Sequence, residues 1–169
     1  CPSAYVRVRT WNFTDGCANI SSNFVQTITV VDSTAPTGTA PTGTTNANAC
    51  TADAQTTYPF NATTVAANYS DNCGGAVTAN LIDTTQTSDD CSWSLVYTFE
   101  VVDACGNKLE NQTITHTGSD QTAPTGTAPT GVTDADVCAA NAQTTYPFNA
   151  TTVAANYSDN CSGAVTVNL

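Results

Sequence analysis

Cysteine and aspartate carry the chemistry that recurs along this 169-residue chain. The cysteines fall at Cys1, Cys17, Cys50, Cys73, Cys91, Cys105, Cys138 and Cys161. There is no Cys-x-x-Cys pair and His116 is the sole histidine, so the usual zinc donor sets are missing. Regularly spaced cysteines in a Met-free acidic chain read instead as disulfides formed in an oxidising compartment. Aspartates offer the second chemistry. Asp32, Asp71 and Asp103 stand in a linker and two turns, Asp120 and Asp159 repeat the first two, and Asp15 repeats the third. Carboxylates that meet at one junction would hold a hard cation such as calcium through oxygen ligands. The plainer reading is that turn aspartates bond their own backbone.

Other chemistries lack support. His116 stands near the end of a Thr-rich strand, and Val30 takes its place in the earlier copy. Glu100 and Glu110 also lack repeat counterparts, so no acid pair recurs as a hydrolase array would require, and no enzyme is expected. The net charge is −11, with Arg7, Arg9 and Lys108 as the only cations, which disfavours nucleic acid and anionic membranes as partners.

The elements that position these residues are written twice. Residues 35–81 and 123–169 are identical at 39 of 47 positions, at a spacing of 88. Residues 1–34 match 89–122 more loosely, through Asp15-Cys17-Asn19 against Asp103-Cys105-Asn107 and Gln26-Thr27-Ile28-Thr29 against Gln112-Thr113-Ile114-Thr115. Cys1 corresponds to Cys91. Such repetition indicates an array of domain-sized units. The expected divisions are 1–32 as the C-terminal part of one repeat, 33–120 as a complete repeat, and 121–169 as the N-terminal part of a third. A half-domain would expose its core and strand edges. The stretch is therefore expected either to belong to a longer chain or to be a subunit whose open ends complete one another.

Within the complete repeat, Trp93 to Val102 reads as a core strand with Trp93, Leu95, Tyr97, Phe99 and Val101 on one face. Ala76–Thr85 and Leu109–His116 read as its neighbours, and Asn61–Tyr69 as the one short helical turn, capped by Asn61. Ten strand residues would hold Cys91 and Cys105 about 30 Å apart, too far for a bond. We expect Cys50–Cys91 and Cys73–Cys105, one bridge at each end of a thin-cored sandwich. Cys138 and Cys161 would then bond within the following unit, Cys1 and Cys17 with the preceding one. For separate subunits, Cys138–Cys1 and Cys161–Cys17 contacts would lock one to the next. Short strands and frequent turns point to an all-β fold of tandem immunoglobulin-like β-sandwich repeats of about 88 residues, stapled by disulfides.

Ser70-Asp71-Asn72-Cys73-Gly74, the run from Cys91-Ser92-Trp93 to Asp103-Ala104-Cys105-Gly106-Asn107, and Asp120-Gln121-Thr122-Ala123-Pro124-Thr125 resemble the HYR-type immunoglobulin-like repeats of large Bacteroidetes surface adhesins. The duplicated Pro-Thr-Gly at 36–43 departs from that pattern. The resemblance implies a secreted structural or adhesive stalk at the cell surface, without catalysis. Its partners would be neighbouring repeats or identical subunits placed head to tail, with glycans or cell surfaces as further candidates. A carbohydrate- or surface-binding module is the alternative function, and a pilin-like subunit completed by its neighbour is a second. Membrane insertion is not expected. No cofactor is expected beyond calcium at the junctions and covalent glycans. Asn-x-Ser/Thr sequons stand at Asn12, Asn19, Asn61, Asn68, Asn111, Asn149 and Asn156, and formally at Asn160. Ser33 and Thr84, each following Asp, match a Bacteroidetes O-glycosylation signal.

Overall fold

A computed structural model describes residue 1, residues 4–87 and residues 89–169. Strands predominate: β1 (Tyr5–Trp11), β2 (Phe24–Val30), β3 (Thr37–Gly38), β4 (Ala47–Asn48), β5 (Tyr69–Ser70), β6 (Thr78–Gln86), β7 (Trp93–Val102), β8 (Lys108–Ser119), β9 (Thr125–Gly126) and β10 (Tyr157–Ser158). The helices are single turns, α1 (Ala54–Thr57), α2 (Ala62–Ala66), α3 (Ala142–Thr145) and α4 (Ala150–Ala154). The fold is all-β in character. β1 and β2 pair antiparallel from Tyr5 opposite Val30 to Trp11 opposite Phe24. A four-stranded sheet runs β4-β8-β7-β6, with β4 parallel to β8, and β3-β5 and β9-β10 form short antiparallel ribbons.

Contacts gather into two compact units. The first comprises residues 1–43, 59–85 and 96–115, the second residues 44–58, 86–95 and 116–169. In the first, Phe99 and Val101 pack with Val65, Tyr69, Ala79 and Ile114. Phe60 lies against Tyr97 and Phe99 with ring centroids 5.8 and 5.6 Å apart, and Tyr69 meets Phe99 edge-on at 6.3 Å. Burying each large side chain contributes roughly 1.5–3 kcal/mol. The α2 turn that delivers Val65 begins where Asn61 Oδ1 accepts the Thr64 N–H at 3.0 Å, the cap that the sequence predicts. Gly38 lets β3 reach β5, because a Cβ there would collide with Tyr69 and the Asn68 carbonyl.

In the second unit Trp93 is buried, its Nε1–H donating to the Ala49 carbonyl at 2.7 Å. Gly118 lies beneath the indole, where a Cβ would strike the ring and the Ala47 carbonyl. Tyr58 stacks on His116 at 5.2 Å, and His116 Nδ1 accepts the Thr44 N–H at 3.0 Å. Burial depresses the His116 pKa. His116 is thus a half-buried packing residue, not an exposed one.

β7 alternates as expected, with Trp93, Leu95, Tyr97, Phe99 and Val101 all inside. β8 extends to Ser119, past the expected end at His116. Leu81 does not join Ala79 inside but stays 44% exposed. A second helical stretch, a 3-10 turn at Thr51–Asp53 leading into α1, lies where the sequence reading placed no helix. Ala54 drives it, being fully buried on a segment without a longer apolar period.

Candidate functional site at the repeat junctions

Two constellations stand 88 residues apart, one in each compact unit. In the first, Asp32, Asp71 and Cys73 bring one potential ligand atom each within 4.8 Å of the others. In the second, Asp120, Asp159 and Cys161 do the same. Local turns set this geometry. Asp32 Oδ1 accepts the Thr34 N–H at 3.1 Å, and Asp120 Oδ1 accepts the Thr122 N–H at 3.0 Å. Asp71 Oδ2 takes the Cys73 N–H at 2.8 Å, as Asp159 Oδ2 takes that of Cys161 at 3.1 Å. Each carboxylate thus spends one oxygen on its own turn. The second oxygens of Asp32, Asp71 and Asp159 are buried without a hydrogen-bond partner.

Cys161 is bonded to Cys50, with Cα atoms 5.2 Å apart, so its sulfur is not available as a thiolate ligand. What remains is a pair of carboxylates, a donor set for a hard cation. Asp103 does not join them, contrary to expectation. Its Oδ1 accepts the N–H groups of Cys105 at 2.7 Å and Asn107 at 2.9 Å, and its Oδ2 accepts the Asn107 amide at 2.8 Å. Burial alone would raise its pKa, but these bonds outweigh it and hold the carboxyl below its ordinary value. Asp15 repeats the arrangement with Cys17 and Asn19, and the bonds from Asn19 and then Cys17 lower its pKa too. For these two aspartates the turn reading holds.

The disulfides differ from the expected pairing. Cys50 bonds Cys161, not Cys91, and Cys105 bonds Cys1, not Cys73. Cys1 and Cys161 accordingly do not bond into the preceding and following repeats, and a Cys138–Cys1 or Cys161–Cys17 lock is ruled out with them. The expected pairing requires a repeat that closes on itself. Both bonds instead join one sequence repeat to the next. Cys50 does sit beside the Cys91 turn, since the Thr51 N–H donates to Asp90 Oδ1 at 2.7 Å. Ser162 reaches Asp90 Oδ2 at 3.0 Å, so the next repeat lies against the same turn.

The expected glycan positions divide by what their side chains do. Ser33, Asn61, Asn111 and Asn149 are exposed, while Thr84 is half-buried in β6. Asn68 and Asn156 each donate a side-chain N–H to a carbonyl at 2.8 Å, closing the α2 and α4 turns. Asn12 reaches Asn23 and Asn19 reaches Asp15. Asn160 Nδ2 contacts the sulfurs of the Cys50–Cys161 bridge, a role its sequon does not signal. Glu100 pairs with Lys108 at 2.9 Å, and this contact lowers the Glu100 pKa and raises that of Lys108. No described helix is long and apolar enough to cross a membrane.

Compared with protein-family models, curated proteins and solved structures, the chain matches none of them.

Proposed function

We propose that this chain is a load-bearing, non-catalytic stretch of tandem immunoglobulin-like repeats from a secreted, glycosylated adhesin or extracellular filament. Disulfides lock its repeat junctions and a divalent cation stiffens them. The observation that carries this reading is the recurrence, 88 residues apart, of a linker aspartate and a turn aspartate with their oxygens brought together. Two carboxylates at such a distance repel by roughly 1–3 kcal/mol, depending on screening, which a bound calcium ion would reverse. Holding linker to turn is a mechanical task, and head-to-tail contacts between like units propagate without closing. Disulfides accord with an extracellular setting, where glycans on exposed positions such as Ser33 would shield strand edges.

Calcium titration with thermal unfolding tests the reading. We expect Tm to rise with calcium for the native chain, and the rise to be lost in the double variant Asp71→Asn, Asp159→Asn. An equal rise in that variant, or none in the native chain, would overturn the cation-stiffened junction.

The exposed apolar residues of the first hairpin, Tyr5, Val6, Val8, Phe13, Phe24 and Val25, favour a second reading. There the chain is a subunit whose neighbour completes the open half-domain.

A further inference from the structure

Four kinds of cysteine recur along the repeat, and three of them have the same backbone setting in both copies. Cys50 and Cys138 cap a 3-10 turn with φ/ψ of −69/148° and −66/141°. Cys73 and Cys161 follow an Asx turn made by Asp71 and Asp159. Cys17 and Cys105 each donate their N–H to the aspartate two residues earlier, at 2.9 and 2.7 Å. Cys1 and Cys91 precede the equivalent strands β1 and β7. Cys50–Cys161 joins the first kind to the second kind in the next repeat, and Cys1–Cys105 joins the last kind to the third kind in the next repeat. Each of the two junctions thus carries a different one of the two bonds.

We propose that every junction carries both bonds, so that the array is held by a continuous double disulfide ladder. Transferring each bond to the equivalent sequence positions of the other junction gives the pairing of the other four positions. Cys91 takes the Cys17-type cysteine of the next repeat, and Cys138 takes the Cys73-type cysteine of the next. Cys17 and Cys73 take the matching partners from the repeat before. Cys17 and Cys138 are exposed thiols in the backbone setting of a counterpart that is already bonded, and Cys91 is an exposed thiol ahead of the strand equivalent to the one that follows bonded Cys1. The four assignments are mutually complementary: the tail of one copy of this chain offers Cys91 and Cys138 to Cys17 and Cys73 at the head of another. A continuing chain offers the same sulfurs. In each bond two thiols lose two protons and two electrons to a disulfide-bearing oxidant, a small-molecule disulfide or an exchange protein, whose S–S bond opens to two thiols. The ladder depends neither on an adhesive role nor on calcium.

Peptide mapping of the native material, alkylated without reduction, tests it. We expect Cys17 linked to Cys91 and Cys73 linked to Cys138, alongside Cys1–Cys105 and Cys50–Cys161, with alkylation at none of the eight. Alkylated Cys17, Cys91 or Cys138, or a Cys73–Cys91, Cys73–Cys105 or Cys50–Cys91 peptide, would overturn the ladder. Intact mass after reduction then identifies the source of the partner sulfurs. A species that stays large carries them on one chain, and one that falls to single-chain size carries them on separate copies.

Discussion

Hairpin β7–β8 and hairpin β1–β2 occupy the same place in the repeat and turn through the same Asp-x-Cys-x-Asn bonding, yet one carries a core and the other does not. In β7 every second residue is buried and Phe99 is 0% exposed. In β1 all seven residues are exposed, Trp11 at 41%. Backbone pairing is not the difference, since β1 and β2 pair along their whole length. The difference is the preceding stretch, whose Phe60, Val65 and Tyr69 cover Phe99 and whose Tyr58 and Ala49 meet Trp93. Residue type contributes as well: the face of β1 that corresponds to the buried face of β7 carries Arg7 and Arg9. A hairpin of this repeat is a template, and its partner stretch turns it into a core.

Truncation should separate the two hairpins most sharply. Phe99→Ala is expected to cost about 3–5 kcal/mol in denaturant unfolding, against less than about 1 kcal/mol for Trp11→Ala. Equal losses would mean that the first hairpin is buried in solution. Glycines give a smaller contrast. Gly118→Ala must displace the Trp93 ring or the Ala47 carbonyl and should destabilise by about 1–3 kcal/mol. Gly16, in the β1–β2 turn, has nothing within 4 Å of an added Cβ, and Gly16→Ala should leave Tm unchanged. Acid should act last and least, and alike on both turns. Asp103 and Asp15 are held below the ordinary value of 3.8, so the stability they add is complete above it and is lost as pH falls through their folded values. Asp103→Asn should therefore flatten the acid limb of a pH–Tm curve. An unchanged limb would place the acid sensitivity elsewhere.

The parts of this fold legible in the sequence were those set by period and turn chemistry. The two-residue alternation of Trp93–Val101 gave the core strand, and Asn61 gave the start of α2. The linker and turn aspartates at 32 and 71, and at 120 and 159, were expected at one end of a repeat, and their oxygens come together there. Asp103 followed the plainer of its two readings, its carboxylate bonding the N–H groups of its own hairpin turn instead of joining the other carboxylates. The helical stretch at Thr51–Thr57 was illegible for want of an apolar period, its anchor being the small residue Ala54. Disulfide pairing was the largest loss. Repeat spacing fixes which cysteines are equivalent, not whether a bond closes within a repeat or between repeats.

Stretching single chains by their two ends tests the cross-repeat bonding most directly. The Cys50–Cys161 bond spans 111 residues and the Cys1–Cys105 loop overlaps it, so an oxidised chain should stop short of its reduced length by those 111 residues. At about 3.5 Å per residue the shortfall is ~390 Å, recovered on adding reductant. A shortfall of only ~140 Å, the span of a Cys50–Cys91 loop at that rise per residue, would show bonds closing inside one repeat and contradict the account.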